Sequence, residues 1–283
     1  MSVPPPPPLL PASHDRIDLW LCYYDRLSDP LLLDELGLLM NPAERAQQQR
    51  FYFADDRLRY LVTRALVRTV LSRYDAVAPA AWEFTQNAYG RPEIAPGHGL
   101  PALRFNLSHT RGLIALAVGG ARTLGVDVEN LAVRQPSEGI AEHFFSAAEV
   151  AALGALPPAQ RGGRFFEYWT FKEAYIKARG MGLSLPLDRF SFHLDGADAV
   201  SLEVDDTGGG DADDASRWLF WQCRPGPDYL LALCAERLGA TAPALTVRHI
   251  VPTRVCEPVA MDWLRCSPEA SASTRQQQAR GRG

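Results

Sequence analysis

In the segment LGVDVEN, residues 124–130, apolar Leu124, Val126 and Val128 alternate with Gly125, Asp127 and Glu129. A period of two predicts a strand, and a strand sets both carboxylates on one face. A different period runs through residues 57–74, RLRYLVTRALVRTVLSRY, where Leu58, Leu61 and Ala65, and Val62 with Leu66, recur at helical spacing. The other face of that helix carries Arg57, Arg64 and Arg68 and reads as solvated, with Asp55 or Asp56 as the expected cap. Upstream, NPAERAQQQRFYF opens with Asn41 as N-cap, Pro42 at the first helical position and Glu44 three residues past the cap, the signature of a helix start.

Strand formers dominate RIDLWLCYYDRL, WEFTQNAYGRPEI and LRFNLSHTRGLIALAVGG, with Gly and Pro as punctuation and a break at Gly119-Gly120. From RTLGVDVENL a second series follows in the same order. It runs from that strand to a helix near SAAEVAAL and a helix near FFEYWTFKEAYIKAR, then to strands DRFSFHL, SLEV, RWLFWQCR and YLLALCAE. The acidic insert DDTGGGDADDA reads as a flexible hairpin loop. The pattern predicts an α+β chain of two similar halves meeting near residue 122, not one doubly wound sheet.

Composition narrows the functions open to such a chain. Its 283 residues suffice for a sizeable core, and a formal net charge of -4 offers no global attraction to nucleic acid or an anionic membrane, so any phosphate recognition must be local. Five cysteines without a CxxC argue against a disulfide framework and a zinc cage, and imply a reducing, cytoplasmic compartment. The opening MSVPPPPPLLPASHD has no basic segment ahead of an apolar helix, so it reads as an extended tail and not a leader. No run of about 18 apolar residues is present to span a membrane. The end, SPEASASTRQQQARGRG, has the composition of a disordered segment.

Two lysines, Lys172 and Lys177, stand among arginines in a chain that otherwise uses no lysine. On a helix Glu173 and Lys177 face the same way, whereas Lys172 points about 100° from Glu173. An i,i+4 ion pair worth about 0.2–0.5 kcal/mol accounts for one lysine and leaves the other idle. Alternatively Glu173 adds a third carboxylate and Lys177 offers a compact, titratable charge to a phosphate. Asp127 and Glu129 are either the wet face of a half-buried strand or oxygen ligands of a hard cation. Ser108 and His109 are adjacent and so not a catalytic pair, but both can donate to a phosphate. Arg91, in the turn YGRP, is a fork suited to phosphate or simple turn chemistry. Gly180 and Gly182 are expected to end the helix and bring backbone close to a ligand.

Taken in order, YGRP, FNLSHT, GVDVEN and WTFKEAYIKARGMGLSLPL resemble the 4'-phosphopantetheinyl transferases of the Sfp type, through the pattern WxxKEAxxKxxGxGL with an upstream GxDxE. The likeness extends more loosely from about residue 15 to about residue 240 and includes RFYFADDRLRYL and HFFSAAEVAAL. It implies a monomer of two pseudo-symmetric α+β halves, residues 15–121 and 122–240. A Pro-rich tail (1–14) and a partly disordered extension (241–283) flank them. Coenzyme A would bind between the halves as co-substrate, and its phosphopantetheine arm would pass to a serine of an apo acyl or peptidyl carrier protein, releasing adenosine 3',5'-bisphosphate. By motif position, Asp127, Glu129 and Glu173 would hold Mg²⁺, with Mn²⁺ also open. Lys177 would contact the pyrophosphate and stabilise or protonate the departing phosphate. Arg91, Ser108, His109 and Lys172 would complete the coenzyme A contacts, and Glu173 or Glu129, directly or through a bound water, would be the base. Some relatives place lysines for the 3'-phosphate where this chain has Glu44 and Gln47, which transfers that duty to Arg45 or Arg50. Two other readings compete: a cation-dependent enzyme acting on another diphosphate, and a non-catalytic carrier-binding module. The presence of Asp127, Glu129, Glu173 and Lys177 together counts against the second.

Overall fold

The computed structural model describes residues 9–133, 136, 139–194, 196–205 and 213–271. The proline run, most of the acidic insert and residues 272–283 therefore lie outside the described residues. Among the described residues no helix is long and apolar enough to cross a membrane.

The first half runs β1 (Arg16–Cys22), α1 (Pro30–Leu38), α2 (Pro42–Gln49), α3 (Ala54–Leu71), the hairpin β2 (Phe84–Gln86) and β3 (Pro92–Ile94), then β4 (Leu103–Thr110) and β5 (Leu113–Gly120). The second repeats the order: β6 (Leu124–Asn130), α4 (Ile140–Phe144), α5 (Ala147–Gly154), α6 (Pro158–Arg179), the hairpin β7 (Phe190–His193) and β8 (Ser201–Val204), then β9 (Trp218–Cys223) and β10 (Tyr229–Glu236). In each half the last strand lies between the other two, antiparallel to both, giving β1-β5-β4 and β6-β10-β9. The α+β class and the duplicated order are as the pattern predicted.

The region after residue 240 does more than an extension would. It forms β11 (Ala244–Ile250), parallel to β1, then β12 (Cys256–Pro258) beside β11 and β13 (Trp263–Cys266) beside β9, completing both sheets. Residues 9–14 also pack instead of trailing. Leu10 donates its N–H to the Arg73 carbonyl, the buried Arg122 guanidinium holds the His14 carbonyl at 2.8 Å, and a Cβ on Gly120 would sit 2.6 Å from the Ala12 carbonyl. Gly120 thus belongs to β5, and its missing side chain makes room for the incoming chain.

Strand alternation divides the core. Trp20 and Cys22 of β1 join Ile114, Leu116 and Val118 of β5 beneath α3, whereas Ile17, Leu19 and Leu21 face Val126, Val128, Leu231 and Leu233 of the second sheet. A third cluster packs Phe171, Tyr175 and Ala178 of α6 onto Phe220, Ala232 and Cys234. The order helices, sheet, sheet, helices follows from which alternate residues are apolar.

Two features of the helices depart from expectation. Neither Asp55 nor Asp56 caps α3: the N-cap is Phe53, without a side-chain bond, and both acids sit in the first turn where they favour the positive end of the helix dipole. The arginine face is not fully solvated either. Asn41 and Glu44 form the expected capping box, but Glu44 is buried and also binds Arg64 (Nε–Oε1 2.7 Å) and Arg68 (Nη2–Oε2 2.8 Å). Arg68, 1% exposed, further donates to the Trp82 carbonyl at 2.7 Å. Burial alone would raise the Glu44 pKa, but the Asn41 amide and the two guanidinium groups outweigh it, and the net direction is down.

The second half repeats this knot in other residues. Ser146 and Glu149 form the capping box of α5, and Glu149, 1% exposed, binds Lys172 on α6 at 2.7 Å and the Phe192 N–H at 2.8 Å. The Lys172 ammonium also donates to the carbonyls of Leu187 (2.6 Å) and Phe190 (2.7 Å). In both halves a capping-box glutamate turns inward to a cation on the long helix, and that cation holds the chain entering the small hairpin. Lys172 is therefore not a coenzyme A contact. One carboxylate and two carbonyls reach it from separate elements, a set of directions that suits a tetrahedral ammonium better than a planar fork.

Candidate active site

Gly125 sets how β6 meets α6. A Cβ there would stand 2.1 Å from the Ala174 carbonyl oxygen and 2.4 Å from the Ala178 nitrogen, so any side chain would push the helix off the strand. Asp127 and Glu129 follow Gly125 on the same strand face, and Glu173 and Lys177 follow one another on α6 by one turn. All four line one cavity of about 560 Å³, together with Ser108, His109 and Trp169. The view of Asp127 and Glu129 as a wet strand face fails, because each is only 5% exposed.

Asp127 is the best-defined member. Its Oδ1 accepts from the Lys177 ammonium at 2.6 Å and from the Ser108 hydroxyl at 3.0 Å, while its Oδ2 is buried with no hydrogen-bond partner. The Ser108 oxygen in turn accepts from Lys177 at 2.9 Å and from the Val128 N–H at 3.3 Å. Its one proton and two lone pairs are thereby committed, so Ser108 orients its neighbours and does not act as a nucleophile. Glu129 Oε1 accepts from the Trp169 indole at 3.1 Å, and that indole stacks on Phe165 with ring centroids 5.8 Å apart.

Glu173 and Lys177 also line an adjoining cavity of about 280 Å³, with Tyr89, Arg91, Gly180 and Gly182. The two cavities share Leu107, Glu173 and Lys177, so they form one cleft with the acidic cluster at one end and the β2–β3 turn at the other. Gly180 ends α6 in the left-handed conformation with φ 66°, as the sequence suggested. His109 stands at the rim; desolvation, then Arg59 and Lys177, lower its pKa and favour the neutral imidazole.

Other expected contacts sit differently. Arg91 is in the predicted turn, but its terminal nitrogens donate to the carbonyls of Lys177 (3.0 Å), Ala178 (3.1 Å) and Leu124 (3.2 Å). It ties the turn to the C-terminal end of α6 and does not present an open fork. Arg45 on α2 and Arg50 at its C-cap are exposed; Arg45 bonds the Met40 carbonyl, and neither lines the two cavities described.

Several contributors escaped the sequence reading. Trp169 holds Glu129, Asn87 donates to the Gly180 carbonyl at 2.9 Å, and Asn106 and Thr110 meet the backbone of β6. The last two had a visible signal: Asn106, Ser108 and Thr110 occupy alternate positions of FNLSHT, so their polar side chains share one strand face.

The donor set suits a hard divalent cation. It offers carboxylate oxygens only, with a buried Asp127 Oδ2 that no group among the described residues satisfies. Among the described residues no group of three or more acidic, His or Cys side chains stands close enough together to hold a metal ion, so the three carboxylates share the cavity without forming a ready-made ion site. What the chain supplies is a shared cavity wall, with Asp127 engaged by Lys177 and Ser108.

Comparison with known proteins agrees with this arrangement. Residues 123–234 match the 4'-phosphopantetheinyl transferase superfamily, and residues 33–120 match the description "4'-phosphopantetheinyl transferase, N-terminal". The chain is 35% identical over 235 residues to the 4'-phosphopantetheinyl transferase HetI of Nostoc sp., covering 83% of this chain and 94% of that protein. It is 33% identical over 216 residues to the 4'-phosphopantetheinyl transferase Sfp of Bacillus subtilis, covering 75% and 89%. The matched stretches contain β6, α6 and the β2–β3 turn, the elements that build the cleft, and the chain belongs to the 4'-phosphopantetheinyl transferase superfamily.

Proposed function

We propose that the chain, acting as a monomer of two halves, transfers the 4'-phosphopantetheine arm of coenzyme A to a serine of an apo acyl or peptidyl carrier protein. The observation that carries this reading is the Asp127 carboxylate, held by Lys177 and Ser108 on one oxygen and unsatisfied on the other, in a cleft it shares with Glu129 and Glu173. Transfer of this kind needs charge neutralisation and alignment more than covalent help from the protein. Asp127, Glu129 and Glu173 would hold one Mg²⁺, which when bound would neutralise the diphosphate of coenzyme A.

The remaining tasks fall to this chain's own side chains. Glu173, facing both cavities, accepts the proton of the carrier serine as its oxygen bonds to the pantetheine-linked phosphorus. The bond from that phosphorus to the bridging oxygen breaks, and adenosine 3',5'-bisphosphate leaves with the electron pair. Lys177 stabilises the departing phosphate oxygen by a charge-assisted hydrogen bond. His109 at the rim donates to a phosphate oxygen, and Ser108 keeps Lys177 and Asp127 in register.

Mass spectrometry of purified apo carrier proteins incubated with the enzyme, coenzyme A and Mg²⁺ tests the proposal. The expected result is a phosphopantetheine adduct on one serine, with adenosine 3',5'-bisphosphate released in equal amount. Diphosphate cleavage without carrier labelling would favour an enzyme acting on another substrate. Lys177→Arg is expected to lower transfer about 100-fold. A planar, permanently charged fork does not reproduce the ammonium that reaches Asp127 and Ser108 together. Comparison of its rate with that of Arg→Lys at the exposed Arg57 checks this; equal, small losses would remove Lys177 from the reaction.

A further inference from the structure

Among the described residues β6 is the edge of its sheet, with β10 on one side and no backbone ladder on the other. That edge nevertheless has partners from the first half. The Val126 N–H donates to Asn106 Oδ1 at 2.8 Å, the Val128 N–H to Ser108 Oγ at 3.3 Å and the Asn130 N–H to Thr110 Oγ1 at 3.1 Å. The Asn130 side chain returns a bond to the Arg111 carbonyl at 2.9 Å. Alternate side chains of β4 thus do for β6 what a neighbouring strand would do with its carbonyls. A side-chain oxygen interposed between the strands holds them farther apart than the roughly 4.8 Å of a backbone ladder. That separation leaves room for a cleft at the seam.

The clamped amides belong to residues 126, 128 and 130, and the carboxylates of interest belong to residues 127 and 129 between them. We propose that Asn106 and Thr110 are positioning residues for the transfer reaction: by gripping the β6 amides on either side, they set where Asp127 and Glu129 stand relative to Glu173 and Lys177. Ser108 performs the same clamp at the centre and touches Asp127 as well, so its loss would report two effects at once. Asn106 and Thr110 line the cleft but grip β6 through its amides and not through Asp127, which makes them the cleaner probes. Unlike a purely structural seam, this one fixes acidic oxygens that must meet a divalent ion within a few tenths of an ångström, so a small shift of β6 reads out as lost ion affinity.

The inference rests on the assignment of Asp127 and Glu129 as ion-holding groups. Its test is the affinity of the full-length enzyme for Mn²⁺, measured by electron paramagnetic resonance and calorimetry with coenzyme A present. Thr110→Val keeps the shape and removes the acceptor; it is expected to weaken Mn²⁺ binding about 10–100-fold. Thr110→Ser, which retains the hydroxyl, should restore affinity to within about two-fold of the parent. Asn106→Leu should behave like Thr110→Val, and Asp127→Asn serves as the control for the ion site. If Asp127→Asn loses Mn²⁺ while Thr110→Val and Asn106→Leu bind it like the parent, the positioning role is wrong and the ion site stands, whatever happens to the melting temperature. If Asp127→Asn binds Mn²⁺ normally, the ion assignment fails and the positioning role falls with it.

Discussion

Replacing Asp127 with Asn is expected to lower phosphopantetheine transfer by about 10²–10³-fold, the cost of removing one fixed charge from a preorganised site. The substitution preserves size and leaves an oxygen where Lys177 and Ser108 bind. What disappears is the negative charge at a position only 5% exposed, where water cannot replace it. Lys177 is partly open, with a side-chain exposure of 27%, so it can rehydrate and the fold should survive. The measurement is the initial rate of carrier labelling, with circular dichroism and a melting curve as controls. A variant that turns over within about three-fold of the parent would remove Asp127 from the reaction.

Lys172→Met is expected to do the reverse, costing stability and sparing chemistry. Lys172 and Glu149 each have 1% side-chain exposure, and the methionine would leave a buried carboxylate without its cation. Breaking one side of such a pair costs about 3–5 kcal/mol, which for a chain of this size lowers the melting temperature by roughly 10 °C. Burial pulls the Lys172 pKa down and the Glu149 charge opposes it, as expected for an ammonium retained by its partner. Because Lys172 lines neither cavity, the folded fraction at low temperature should transfer at close to the parent rate. Thermal denaturation beside a labelling assay at about 15 °C separates the two effects. A variant that melts like the parent but loses transfer would return Lys172 to the site.

These outcomes give the two lysines different reasons for not being arginine. Lys177 meets a carboxylate and a hydroxyl in a cleft open to substrate. Lys172 meets a carboxylate and two carbonyls in a closed space. The motif that contains both suggested one shared purpose, and helical geometry already argued against it, since adjacent residues on a helix point about 100° apart.

Local pattern was enough for much of the molecule. Alternation in LGVDVEN and helical spacing around Glu173 and Lys177 established which side chains share a face, and the order of elements exposed the duplicated α+β plan. The capping boxes at Asn41 and Ser146 are each written in four residues of sequence. Short-range rules suffice there because a face, a cap or a turn depends on residues within one or two turns of chain.

Tertiary structure decided what those faces meet. Arg91 reads as a phosphate fork from its turn, yet the α6 carbonyls lie within its reach and occupy it. Arg68 reads as solvated until Glu44, 24 residues away in the chain, turns inward beneath it. β11 carries no mark of its partner, and it pairs with β1 more than 220 residues upstream because that sheet edge is open and the next chain segment can reach it. By itself the sequence determined the acidic strand, the basic helix and their repeat-like setting. Only packing determined that Gly125 brings the two elements into contact and that β4 holds β6 by side chains, because such contacts depend on distances no local pattern encodes.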